Sequence, residues 1–432
     1  MIKTIRDAWA IPELRKKIMF TVFALLIFRL GAALPVPSLD SANLETYHSG
    51  QSGTIRGLMD AMSGSAFSMA SLFALGIQPY INSYIIIQLL TVAIPALERL
   101  AKEGGEEGRK KIASITRYTT VGIALLQGFG YYTLIKTAGA SSGVSVLDTT
   151  GVPGWWAAIV IIVSFTAGSA FIMWLGELIT ERGIGNGMSL IIFVSIVSRV
   201  PSAIFSSMNL TADTTMGVAI TVVTLLVVLA CIPAIIFVER AQRRIPVNYA
   251  KRVQGRKMMG GQSTYIPLKV NSAGVIPISF ASCLIYFPAQ LAALFNVGWL
   301  TAVADAISTG WVNWILTVLL IVFFAYFYTS MVFNPEETAD NLRKQGGFIP
   351  GVRPGTATVT YIKNVLHRVT LPGGIFIASI AVVPTIIFYF TGNTLIQAFG
   401  GTSILIMIGV ALDTMNKVES QLKMHNYEGF FK

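Results

Sequence analysis

The sequence predicts an all-α membrane protein with ten transmembrane helices in two inverted five-helix halves, and three observations predict it. The 432 residues are 53% hydrophobic and only 12% charged, with a mean hydropathy of +0.66, which is far more apolar surface than one soluble core needs. Apolar runs of about 18 residues or more recur along the chain, whereas barrel strands are about ten residues long and alternate polar with apolar. Once ten spans are drawn, the positive charges fall almost entirely on one side of the membrane.

In chain order the spans lie near 18–37, 70–96, 118–138, 155–175, 187–203, 216–238, 272–292, 311–333, 373–391 and 398–414. The first follows Lys3, Arg6, Arg15, Lys16 and Lys17, but it is long enough to cross and no Ala-x-Ala-like site follows, so it reads as a membrane helix rather than a signal peptide. With ten spans both termini share a side, and that side receives 28 of the 32 lysines and arginines. Arg29, Arg56, Lys136 and Arg199 are the remainder. The positive-inside rule makes both termini cytoplasmic, so the net charge of +11 is mostly a topology signal and requires no nucleic-acid partner. An odd number of spans per half inverts residues 211–432 relative to 1–210. Cytoplasmic loops are expected at about 239–270 and 334–371.

Cys231 and Cys283 lie in apolar runs and read as small buried side chains. His48, His367 and His425 lack metal-ligand spacing, no nucleotide-binding Walker motif occurs, and the spans hold no nucleophile with a base and no paired carboxylates. No cofactor is expected, and the chain does not read as an enzyme.

Before the second span, Ile55-Arg-Gly-Leu-Met-Asp-Ala-Met-Ser-Gly-Ser-Ala-Phe67 is apolar and polar by turns. A dozen helical residues reach ~18 Å, short of a hydrocarbon core of ~30 Å, so this segment either lies on the surface or dips in without crossing. In Phe73-Ala-Leu-Gly-Ile-Gln-Pro-Tyr-Ile-Asn-Ser-Tyr-Ile-Ile-Ile-Gln88, the residues Gly76, Gln78, Pro79, Asn82 and Gln88 are a load that a helix tolerates where it faces protein or water. Gln127, in the third span, is suited to bonding across helices. Arg29 has no acid in its own helix and is assigned no function. Leu175-Gly-Glu-Leu-Ile-Thr-Glu-Arg-Gly-Ile-Gly-Asn-Gly-Met-Ser-Leu190 sets two acids, an arginine and several glycines between long apolar runs, at a cytoplasmic turn.

Two cytoplasmic arms follow. Residues 239–257 hold seven positive charges against one acid, more than orientation requires, and Arg244-Ile-Pro-Val-Asn-Tyr249 alternates like a strand that would project a basic tip. In the second arm, Asn334-Pro-Glu-Glu starts a capped helix, and Pro350-Gly-Val-Arg-Pro-Gly355 makes a turn presenting Arg353. Orientation and lipid-headgroup binding are the plain alternative for the first arm's cations, and a solvated charge is the plain alternative for Arg353.

The stretches at 73–88 and 175–190 together resemble the paired signatures of the SecY/Sec61-alpha family, and the resemblance runs from the basic N-terminus to Gly400-Gly-Thr-Ser403. It implies the protein-conducting channel of the Sec translocon, in the bacterial cytoplasmic (inner) membrane. Such a channel passes unfolded secretory preproteins and releases transmembrane segments laterally into membrane lipid, driven by the SecA motor ATPase or the ribosome, with SecE and SecG as partners.

Residue by residue, the resemblance makes Gly57, Leu58, Met59, Asp60, Ala61, Met62, Ser63, Gly64, Ser65, Ala66 and Phe67 a re-entrant plug helix. Ile81, Ile85, Met188, Ile192 and Ile406 become members of an apolar pore ring. The family more often has isoleucine where this chain has Ser279, so Ile276 or Ile278 takes that place. Gln88 and Gln127 fall near the lateral gate, where a signal sequence leaves for lipid. Arg243, Arg244, Lys251, Arg252, Arg256, Lys257 and Arg353 become contacts for SecA or the ribosome. An apolar ring dewets and so resists water and ions, yet makes no directional bonds to a passing peptide. The rival from another class is a secondary transporter for a small solute, which would place ionisable groups at mid-membrane where this chain proposes apolar ones.

Overall fold

A computed structural model describes residues 2–37, 39, 66, 69–102, 104–142, 153–208, 214–249, 252–254, 257–259, 263–271, 274, 276–295, 298–308, 310–391 and 401–429. It is mostly helical. The helices are α1 (Ile2–Ala10), α2 (Pro12–Ala33), α3 (Gln78–Ala93), α4 (Pro95–Lys102), α5 (Gly105–Ser142), α6 (Gly154–Arg182), α7 (Gly187–Met208) and α8 (Thr214–Arg240). They continue as α9 (Ile276–Phe295), α10 (Gly298–Ser308), α11 (Gly310–Val332), α12 (Pro335–Lys344), α13 (Thr356–Thr391) and α14 (Gly401–Gly429). A helix lies at each of the ten expected spans. Within α6, α7, α8, α11 continued through α12, and α13, a stretch is long and apolar enough to cross a membrane by length and composition alone, and the bent pair α3–α4 would make a sixth.

The second span departs from its expected start. Residues 70–77 are turns apart from Ser71, which bridges to Pro35, and the helix begins at Gln78 with Pro79, which lacks an N–H, accommodated in its first turn. The turns are built on Ala70 and Gly76, both at positive φ (44° and 54°). Phe73 stacks between Phe28 of α2 and Phe171 of α6, with ring centroids 5.9 and 5.8 Å away. A side chain at Gly31 would strike that ring and one at Gly168 would strike the Leu72 carbonyl, so both glycines are closeness requirements. At its other end α3 turns by 105° into α4.

The chain forms two compact units, Met1–Thr224 with Cys283–Asn313 and Pro384–Lys432, and Leu225–Ser282 with Trp314–Val383. In the first, α2 packs on α6, α5 on α3 and α6, and α7 on α6 and α14. Its buried apolar cluster includes Leu75, Tyr131, Ile135, Ile161 and Phe165. A second cluster, around Ala8, Leu14, Ile184 and Val418, ties α1 to α2, the α6–α7 turn and α14.

In the other unit, β1 (Gln242–Tyr249) pairs antiparallel with β4 (Ser263–Lys269) on one side and with the two-residue β5 (Gly347–Phe348) on the other. Between β1 and β4, β2 (Arg252–Gln254) and β3 (Lys257–Met259) form a small hairpin of their own.

Candidate functional site

The turn between α6 and α7 shows why its sequence is so unusual. A Cβ on Gly187 would collide with the Gly176 carbonyl, and one on Gly176 with the Met188 sulfur, so the two helices meet backbone to backbone. Thr180 Oγ1 donates to the Gly176 carbonyl (2.8 Å) and accepts from the Gly187 N–H (2.9 Å), while Asn186 Oδ1 accepts from the Met188 N–H at 3.1 Å. The turn docks on α2 through Thr21, whose Oγ1 accepts from the Ile184 N–H at 3.1 Å. Glu177 takes the Nε–H of Arg117 on α5 at 2.9 Å, a pairing across 60 residues that no local spacing announces.

The polar load of α3 is resolved just as specifically. Ser83, fully buried, donates to the Thr116 carbonyl of α5 at 2.8 Å. Asn82, also buried, accepts at Oδ1 from the Cys283 thiol of α9 at 2.7 Å, across 201 residues. Cys283, expected to be inert packing, is thus the donor in a helix-to-helix bond. Gln88 Nε2 donates to the Tyr84 hydroxyl at 2.8 Å within α3 itself. Gln127 lies half-buried on α5.

Of the expected ring positions, Met188 and Ile192 lie one turn apart and buried on α7, and Ile406 is buried on α14, which packs on α7. Ile81 and Ile85 lie one turn apart on α3, half-buried and buried. On α9, Ile278 is 1% exposed and Ile276 half-buried. Of the expected short segment, only Ala66 is among the described residues. It is buried, and its carbonyl accepts from Ser71 N–H at 3.0 Å and Ser71 Oγ at 3.2 Å.

The two arms share one apolar core. Along β1, Ile245 and Val247 point inward while Arg244 and Pro246 are exposed, as alternation requires. Their partners are Leu268 from β4 and, from the second arm, Leu342, Ile349, Ile362 and Leu366. Asn334 caps α12 by accepting from the Glu336 and Glu337 N–H groups (3.1 and 3.4 Å). At the base, buried Asn271 donates through Nδ2 to Glu239 Oε1 at 2.8 Å and to the Gly274 carbonyl at 3.2 Å.

Arg243 and Arg244 are exposed, the latter 4.8 Å above the Tyr265 ring. Arg252 and Lys257 sit on the tip hairpin, whereas Lys251 and Arg256 lie outside the described residues. Arg353 is exposed between Gly351 and Gly355, both at positive φ (81° and 107°), which only glycine adopts at little cost.

Comparison with known proteins gives one answer. The SecY family model matches residues 71–415. The chain is 46% identical over 442 aligned positions, and over the full length of both chains, to the protein translocase subunit SecY of Streptomyces lividans. It is 44% identical to that of Mycobacterium bovis, over 97% of each. Among solved structures, a protein conducting channel superposes with a TM-score of 0.66 at 16% identity, covering 94% of this chain and 92% of the other. Sec61 in a canine ribosome-channel complex from the endoplasmic reticulum gives 0.62 at 14% identity, with the same coverage.

Proposed function

The chain belongs to the SecY family, and from that premise we propose that it works as a multi-pass protein-conducting channel of the Sec translocon. The single observation that carries the reading is full-length identity of 46% to a protein translocase subunit, with both signature stretches built into tight helix contacts. On this reading residues 1–210 and 211–432 are the inverted halves, the termini and both arms are cytoplasmic, and the membrane is the bacterial inner membrane. On this reading the channel itself is passive. Motion comes from SecA or the ribosome pushing an unfolded preprotein inward, with SecE and SecG as companion subunits.

In the resting channel, residues 57–67 plug a constriction lined by Ile81, Ile85, Met188, Ile192, Ile406 and one of Ile276 and Ile278. Their side chains seal by dewetting and offer no directional bond to a passing chain. Lateral release requires α3 and α9 to part, with Gln88 and Gln127 nearby, and the Asn82–Cys283 bond is a latch across that seam. On the cytoplasmic side the basic tip and Arg353 receive the motor or the ribosome. The solved canine complex joins a relative of this fold to a ribosome, which supports that role for the arms. An isolated small-solute transporter is less well served, because the positions proposed for mid-membrane are apolar.

Reconstitution into liposomes with SecE, SecG, SecA and ATP tests the proposal. A radiolabelled unfolded preprotein should become protected from external protease only when ATP is present. Absence of protection beside an active reference channel would return the transporter reading.

A further inference from the structure

Between α9 and α11 the chain makes a helix that periodicity alone did not single out. Helix α10 has 11 residues, Gly-Trp-Leu-Thr-Ala-Val-Ala-Asp-Ala-Ile-Ser, and reaches roughly 16 Å, about half of a hydrocarbon core. It cannot cross. Trp299, Ala302, Val303 and Ala306 are all exposed, and their spacing of i, i+3, i+4 and i+7 puts them on a single face. Ala304, on the opposite side of the helix, is only 7% exposed, so α10 has one face against the protein and an apolar face turned away from it.

That outward face is not a water-seeking surface. Trp299 is 68% exposed and Val303 42%. Three residues past the end of α10, Trp311 at the start of α11 is 68% exposed as well. Tryptophan with an apolar body and one N–H donor partitions to the boundary between headgroups and acyl chains. A helix too short to span, apolar on its outer face and bracketed by two such rings, has the form of an element lying in the plane of the interface.

We propose that α10 is an interfacial anchor: its Trp299–Ala302–Val303–Ala306 face lies in the headgroup–acyl boundary of the lipid bilayer and fixes the depth at which α9 ends and α11 begins. The placement in depth holds whichever way the chain is oriented, and so stands or falls separately from translocation activity.

The test uses the full chain in its complex, reconstituted in proteoliposomes. Cys231→Ser and Cys283→Ser leave a hydroxyl donor facing Asn82, and a nitroxide is then attached at Val303→Cys, with Ala302→Cys as a second site and Ala304→Cys as the inward control. At 302 and 303, oxygen should relax the label more effectively than the water-soluble nickel chelate NiEDDA, at a depth just below the phosphates. The label at 304 should be shielded from both. Strong NiEDDA relaxation at 302 and 303 would place the helix in water and overturn the proposal. Shielding from both reagents at these sites would show a protein partner covering the face, and would overturn it equally.

Discussion

Arg353 is presented by a backbone that few residues besides glycine permit at its two flanking positions, so the turn is built to hold a charge outward rather than to pack one. Arg353→Glu should therefore slow SecA-driven export while the protein still inserts normally, compared by export rate at equal channel abundance; an unaltered rate would sink the docking role. Asn82 makes the opposite kind of contact, buried and between helices. Its bond to Cys283 is worth about 1 kcal/mol, so removing it in Asn82→Ala should raise an opened population about fivefold if α3 and α9 are a gate. Export of a preprotein with a shortened signal segment should rise, and no change would show that the bond latches nothing. What the sequence disclosed here was only half of each story. A polar residue in a span declares that it needs a partner, and Asn82 could be read that way, but nothing local to Cys283 declares that it is the partner 201 residues on. Arg117 and Glu177 were hidden for the same reason.

Elements whose shape follows from local chemistry were legible. Alternation of Ile245 and Val247 with exposed neighbours made β1 readable, and Asn334 followed by proline and glutamates announced α12. The pairing of β1 with a strand of only two residues from the second arm was not legible, because Gly347 and Phe348 carry no strand pattern and gain their state from the shared core. That shared core makes the arms one cooperative element. Leu342→Ala, in the second arm, should destabilise it by about 2–3 kcal/mol and speed hydrogen exchange in β1 of the first; exchange confined to α12 would mean the arms fold separately. The start of α3 lies eight residues past the expected start of the second span, since hydropathy runs through the turns at 70–77. For the proposed plug, deleting residues 57–67 should raise ion leak through the resting channel in planar bilayers. An unchanged leak would reject that assignment.

On the proposed reading, one set of positive charges does two things at the scale of the whole molecule: it orients the chain and it docks a partner. The numbers separate them. Six cations, Arg243, Arg244, Lys251, Arg252, Arg256 and Lys257, belong to the first arm's tip and its approach, and neutralising all six leaves 22 of the 28 on that side against four on the other. The asymmetry that sets topology therefore survives, so a cysteine placed in the C-terminal tail should remain labelled from the same side of the membrane. Docking has no such reserve, because phosphate neutralisation is a local sum over the charges that touch. Ribosome binding by the six-glutamine variant should weaken, and the slope of log affinity against log salt should flatten, since fewer counterions are released per complex. A variant that changed orientation would show these charges to be topological. One that bound with an unchanged salt slope would place the ribosome's contacts elsewhere on the cytoplasmic face.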